Sequence, residues 1–249
     1  MPNAPCAFAC HNDASKPSND YYGLARSLKP AITLRLDVVQ QAAAQVVTTL
    51  QTRQQAPGQF LVGIYQFNST MQPLYPAAGS GEAGNDLATA LTAVQNVPPN
   101  LAPNGGNTDF PSAASALNAD VAAAGDGTTA ATARKNLFIV TDGMEDTPGS
   151  RVMGPMTSAG NEQVCTQFWN KGFNVFVPYT PYLPLPNPFY LSNDKQYVEP
   201  PASSKELAAL QACAPYPANV FQASDPVAIL AAMQTMLSQA LNSPARVAD

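Results

Sequence analysis

Apolar residues recur at helical spacing over residues 31–53, where Leu34, Val38, Val39, Ala42, Val46, Thr49 and Leu50 form one stripe. This predicts a long helix, with Pro57-Gly58 breaking the connection behind it. Residues 60–67 (Phe-Leu-Val-Gly-Ile-Tyr-Gln-Phe) are apolar at consecutive positions, the pattern of a strand covered on both faces. Asn68-Ser69 predicts a tight turn into residues 71–75, so the two runs make a hairpin. Residues 86–94 read as a short helix. A second helix is expected from Asn107-Thr108-Asp109-Phe110-Pro111 to about Ala124, because Asp or Thr ahead of an early Pro starts helices well. Residues 136–141 (Asn-Leu-Phe-Ile-Val-Thr) predict another buried strand, and 142–160, rich in Gly and Pro, a long loop. A helix over 162–171 closes at Gly172, and 173–177 gives a third strand. Residues 178–203 hold seven prolines interleaved with Tyr179, Tyr182, Phe189, Tyr190 and Tyr197. A helix over 205–213, an edge strand over 219–222 and a helix from Ser224-Asp225-Pro226 to about Leu241 complete the chain. Residues 1–30 are polar and turn-rich, so no strand is expected before residue 55.

Helices alternating with apolar strands predict an α/β fold, a doubly wound and mostly parallel sheet covered on both faces. No internal repeat or composition break divides residues 1–249, so a single domain with an irregular 1–30 segment is expected. Hydrophobic residues make up 45%, enough for a core, but charged residues only 12% against a usual ~25%. The 41 Ala and 24 Pro take up much of that difference. A net charge of −5 with 12 scattered Lys and Arg weighs against nucleic acid as a partner, since phosphate binding needs clustered cations. No apolar run approaches the ~20 residues of a membrane span.

The single histidine, His11, would have to serve any Ser-His-Asp or Cys-His catalyst, and it lies far from a strand–helix junction. The cysteines fall two and two, Cys6 with Cys10 and Cys165 with Cys213. An even count in a low-charge chain fits an oxidising compartment, and four buried thiols fit it as an alternative. Ligands of open α/β sheets sit beyond the strands' carboxyl ends. Two polar sites fall there, Thr141-Asp142-Gly143 and Asn107-Thr108-Asp109. A hydroxyl and a carboxylate meeting there offer hard oxygens that suit Mg²⁺. On pattern alone a helix cap and an Asp-Gly turn account for the same residues better.

Several motifs occur in order. They are Gly-Asn-Thr-Asp-Phe (106–110), Leu-Phe-Ile-Val-Thr-Asp-Gly (137–143), Cys-Ala-Phe-Ala-Cys-His (6–11), Arg-Leu-Asp (35–37), Thr-Asp-Gly-Met-Glu-Asp (141–146) and Tyr-Thr-Pro-Tyr-Leu-Pro-Leu-Pro (179–186). With the early helix–strand–hairpin unit, this set resembles a von Willebrand factor A-type (vWA) domain, and more narrowly the TadG-like proteins of Flp/Tad pilus assembly. The resemblance implies a metal-ion-dependent adhesion site with Thr108 and Asp142 as ligands, Mg²⁺ as the ion in an intact homologue, and Cys6–Cys10 and Cys165–Cys213 disulfides. The family's Asp-x-Ser-x-Ser triplet, which follows its first strand, does not occur in residues 1–30. Met1 stands where the residue after that triplet would fall. The chain is therefore expected to be an N-terminally truncated fragment without the central strand and three of the five ligands. Any membrane anchor would have been lost with that N-terminus, and strands 60–67 and 137–141 would be parted or abnormally paired. Mg²⁺ binding is expected to be weak or absent.

The function implied is a non-enzymatic protein-binding or assembly module of a bacterial surface pilus, periplasmic or extracellular and associated with the cell envelope. Asp109, Glu145, Tyr182 and Phe189 are the expected partner-binding rim, because stiff proline-spaced aromatics offer contact area at low entropic cost. The alternatives are a Mg²⁺-dependent α/β hydrolase or phosphotransferase using Asp142, and a purely structural secreted domain.

Overall fold

The computed structural model describes residues 27–31, 33–68, 70–97, 108–129, 132–147, 152–155, 162–181, 191–192, 195–200, 204–214 and 216–242. Helix α1 (Arg35–Arg53) begins four residues later than its apolar stripe predicts. Leu34 is extended, and its N–H donates to the Asp37 carboxylate at 2.9 Å, which sets the helix start there. Strand β1 (Ile64–Phe67) and strand β2 (Met71–Tyr75) form the expected antiparallel hairpin. Asn68 turns the chain, its side chain accepting the Thr70 N–H at 2.9 Å. β1 is half the predicted length because the register slips between Ile64 and Tyr65, leaving Val62 in an isolated bridge to Gly84.

Asp86 caps α2 (Leu87–Gln95), and Asp109 caps α3 (Phe110–Asp120). Helix α3 ends short of Ala124 because the chain turns extended at Val121, and the Ala124 N–H goes to the Lys171 carbonyl instead. Strand β3 (Asn136–Phe138) follows, with Thr141 bridging separately to Tyr179. The stretch 142–160 is not all loop, because β4 (Met144–Thr147) and β5 (Val152–Pro155) pair antiparallel inside it. Next come α4 (Glu162–Asn170), β6 (Asn174–Tyr179), one helical turn α5 (Lys195–Val198), α6 (Lys205–Cys213), β7 (Val220–Gln222) and α7 (Pro226–Asn242). No strand occurs among the described residues before Ile64; most of residues 1–30 lie outside the described residues.

The parallel sheet runs β3-β6-β7, with β6 in the middle. β1-β2 forms a second ladder that is not hydrogen-bonded to β3. The side chains nonetheless sort onto two common faces. Ile64, Phe138, Val140, Phe176 and Phe221 join the clusters under α1, α2 and α7. Phe67, Leu137, Ile139, Val175, Val177 and Tyr179 join the cluster under α3, α4 and α6. The two ladders are thus one layer between helices, as the doubly wound reading expects.

The Cys165–Cys213 disulfide is present with its Cα atoms 5.0 Å apart, and it ties α4 to α6 inside that second cluster. The expected Cys6–Cys10 bond lies outside the described residues. Replacing both Cys165 and Cys213 by Ala should lower the unfolding free energy by up to about 4 kcal/mol, the chain-entropy value for a span of 48 residues. Denaturant melts of the variant against the oxidised parent check this.

Candidate functional site

Helix α3 fixes which edge of the sheet carries the polar residues. Just past its C-terminal end, the Ala122 N–H donates to Glu82 at 2.8 Å, and Glu82 also pairs with Lys135, the residue before β3. The Ala124 N–H bonds to Lys171, shortly before β6. That end of the helix therefore sits at the amino edge of the sheet. Its N-terminus, with Thr108 and Asp109, sits at the carboxyl edge, where the Asp109 N–H donates to the Asn68 carbonyl at the end of β1. Asp142 follows β3 at the same edge. The two predicted ligand positions thus lie at the same edge of the layer.

The Asp109 carboxylate accepts from the Ser112 N–H at 3.0 Å and the Ser112 hydroxyl at 2.8 Å, so it acts as a helix cap. Thr108 is half-buried beside it. Asp142 is half-buried and accepts the Met144 N–H at 3.2 Å, while Thr141 Oγ1 accepts the Gly143 N–H at 3.0 Å. Glu145 is only 4% exposed, so its carboxylate lies beneath the rim rather than on it. Tyr182 and Phe189 lie outside the described residues.

A buried acidic centre backs this edge, and the sequence pattern did not single it out. Glu206 on α6 is 0% exposed. Gly143 has φ +88°, and a Cβ built on it would stand 2.6 Å from Glu206 Cγ. The Tyr179 phenol, at the end of β6 and 1% exposed, faces Glu206 and the buried Ser204 hydroxyl. Burial first, then the Glu206 carboxylate, push that phenol well above its usual pKa, and Asp142 adds a smaller push. Glu206 escaped the sequence reading because an acidic residue in a first helical turn, behind a Ser cap, reads as an ordinary helix start. On the far side, the Arg35 guanidinium donates to the Pro181 carbonyl at 2.9 Å. The Arg-Leu-Asp motif therefore ties α1 to the loop that leaves β6.

With this geometry in view, comparison with solved structures gives a von Willebrand factor A-like fold. The vWF domain of the type V pilus tip protein Mfa5 from Porphyromonas gingivalis superposes with a TM-score of 0.56 at 10% identity, over 86% of this chain and 90% of that one. The pilus adhesin SpaC from Lactobacillus rhamnosus GG matches at 0.53 and 15% identity, over 87% of this chain. Proximal thread matrix protein 1 of the mussel byssus matches at 0.54 and 10%, over 82% of this chain. The chain corresponds to 42% of the mussel protein's length and 29% of SpaC's. A second structure of the mussel protein has a zinc-occupied MIDAS motif. No protein-family model matches this sequence, and no curated protein does.

Among the described residues no three Asp, Glu, His or Cys side chains converge to hold a metal. Thr108 and Asp142 offer two protein ligands where Mg²⁺ requires near-octahedral oxygen coordination, and one Asp142 oxygen already accepts a main-chain N–H.

Gly143→Ala should destabilise the chain by about 2–4 kcal/mol, because it adds left-handed strain to a collision with Glu206. An equilibrium melt measures this. The Tyr179 phenol makes stability pH-dependent in a defined direction. Its folded pKa lies above the ordinary 10.0, so above pH 10 the unfolded chain releases a proton that the folded chain keeps. Stability should then fall as pH rises past 10. In Tyr179→Phe the melting temperature should fall less steeply between pH 9 and 11.

Proposed function

We propose that this chain is a non-enzymatic protein-binding or assembly module of a bacterial surface pilus apparatus of the TadG-like Flp/Tad type. It would act outside the inner membrane, at the periplasmic or extracellular face of the envelope. The observation that carries the reading is the vWA-like layer with Thr108-Asp109 and Thr141-Asp142-Gly143 at one carboxyl edge. Two of the similar structures are a pilus tip protein and a pilus adhesin, which favours the same class of work. The oxidised Cys165–Cys213 pair fits an oxidising compartment. Among the described residues no helix is long and apolar enough to cross a membrane.

In this reading the partner docks on the carboxyl edge, against Asp109, Asp142 and the proline-spaced aromatics Tyr182 and Phe189. Mg²⁺ plays little part in this chain, since Thr108 and Asp142 alone bind it weakly. The immobilised chain should capture an envelope protein from extracts of piliated cells. A Tyr182→Ser, Phe189→Ser double variant should capture less of it at an unchanged melting temperature, and Mg²⁺ titration calorimetry should show no micromolar affinity. Equal capture by the double variant would remove the rim from the reading. Micromolar Mg²⁺ binding abolished by Asp142→Ala would replace the incomplete site with a working one.

A further inference from the structure

Helix α6 touches the carboxyl edge at two places. Its Glu206 side chain lies against Gly143, in the turn that follows β3. The helix also packs on β5, which pairs with β4 through Met144 and Glu145. The other end of α6 is fastened covalently. Cys213, its last residue, is bonded to Cys165 of α4, and the Cys213 carbonyl accepts the Trp169 indole N–H at 3.0 Å. Glu206, Leu210 and Cys213 recur at i, i+4 and i+7, and all three are 0% exposed. One face of α6 therefore carries both the edge contact and the disulfide.

Its length makes this helix dependent on those fastenings. At nine residues α6 is shorter than the roughly 12–15 that hold in isolation. The Ser204 hydroxyl accepts the Leu207 N–H at 3.0 Å and closes the first turn. Leu210 in the apolar cluster, Glu206 at Gly143 and the disulfide then seat the helix on the rest of the chain. Cys165 and Cys213 are both 0% exposed, so a reductant reaches their bond only when α4 and α6 part.

We propose that Cys165–Cys213 is a redox latch on the carboxyl edge. With the bond intact, α6 stays seated and the turn at Gly143 and Met144 is held. With the bond reduced, α6 and the β4–β5 hairpin open together as a local unit, while β3-β6-β7 stays folded. The chemistry is thiol–disulfide exchange with a dithiol. One thiolate of the dithiol attacks a cysteine sulfur, the Cys–Cys bond breaks and a mixed disulfide forms. The second thiolate then displaces the remaining cysteine. The dithiol ends as a disulfide, the chain gains two electrons, and the two protons end on Cys165 and Cys213. The latch concerns the conformation of the edge and does not depend on what docks there.

Residue-resolved amide hydrogen exchange on the oxidised and the dithiothreitol-reduced chain tests this. Reduction should quicken the amides of Gly143, Met144, Ala208 and Ala214 at least about tenfold beyond any change at Ile139 and Ala223. The first four bond to Thr141, Asp142, Ser204 and Leu210, at the edge and in α6, and the last two to Phe176 and Tyr179 within the sheet. The rate of reduction should also respond to the far end of the helix. Ser204→Ala removes the cap at the opposite end of α6 from the disulfide and should speed reduction by dithiothreitol roughly fivefold, the effect of a lost cap. Leu50→Ala, in the cluster under α1 and α2, weakens the chain elsewhere and should leave that rate within about twofold. Uniform quickening of all six amides, or unfolding of the reduced chain as a whole, would make the disulfide a global staple and overturn the latch. Unchanged rates at Gly143 and Met144 would overturn it too. So would a bond that resists dithiothreitol until the chain unfolds, or reduction that follows overall stability alike in both variants.

Discussion

A sheet covered by helices on both faces must satisfy its main-chain N–H and C=O groups strand by strand, because water does not reach a covered layer. Much else in this chain follows from how fully each strand meets that requirement. β6 has β3 on one side and β7 on the other, and it is the sealed centre of the layer. Both helical layers rest on it, α7 and α1 through Phe176 and α4 and α6 through Val175 and Val177. β1 and β3 each have one described neighbour and are correspondingly half-open. The helices hold the two ladders together where the sheet does not, with α1 over one face and α3 under the other.

The polar edge is organised by the same layer. Thr141-Asp142-Gly143 is where β3 stops following β6, and Gly143 turns the chain in a left-handed conformation close over Glu206. A carboxylate buried that deeply beside a phenol and a serine hydroxyl makes the end of β6 a polar centre inside an apolar core. The backbone at Gly143, next to Asp142, packs directly on the Glu206 side chain. The Arg35–Pro181 contact holds the neighbouring loop to α1 in the same way.

The elements legible in the chain were those with strong local codes. Helix α6 has the predicted bounds, and α2, α3 and α7 begin where Asp86, Asp109 and the Ser224-Asp225-Pro226 group place them. The 64–75 hairpin followed from Asn68. The β4–β5 hairpin was not legible, because Gly and Pro throughout 142–160 carry turn signals that outweigh a four-residue pairing. The ends of β1 and β3 were not legible either, since an apolar run shows that a strand is buried but not how much of it finds a partner. Of the candidate site, Thr108, Asp109 and Asp142 could be named from motif and strand-end position. Glu206, Ser204 and the Tyr179 phenol could not, because Glu206 lies more than sixty residues from Asp142 and meets that edge only through the packing of α6.

By itself, then, the sequence determined the α/β alternation, the helix starts, the two-faced apolar strands and the pairing-competent cysteines. Each of these is a matter of neighbouring residues, of spacing, or of side-chain chemistry carried locally. The tertiary structure alone decided which strand lies at the centre, that Glu145 and Glu206 lie buried rather than at the surface, and that β1 and β3 share a layer without sharing hydrogen bonds. Those outcomes depend on which distant segments come together, and no local pattern of residues encodes that.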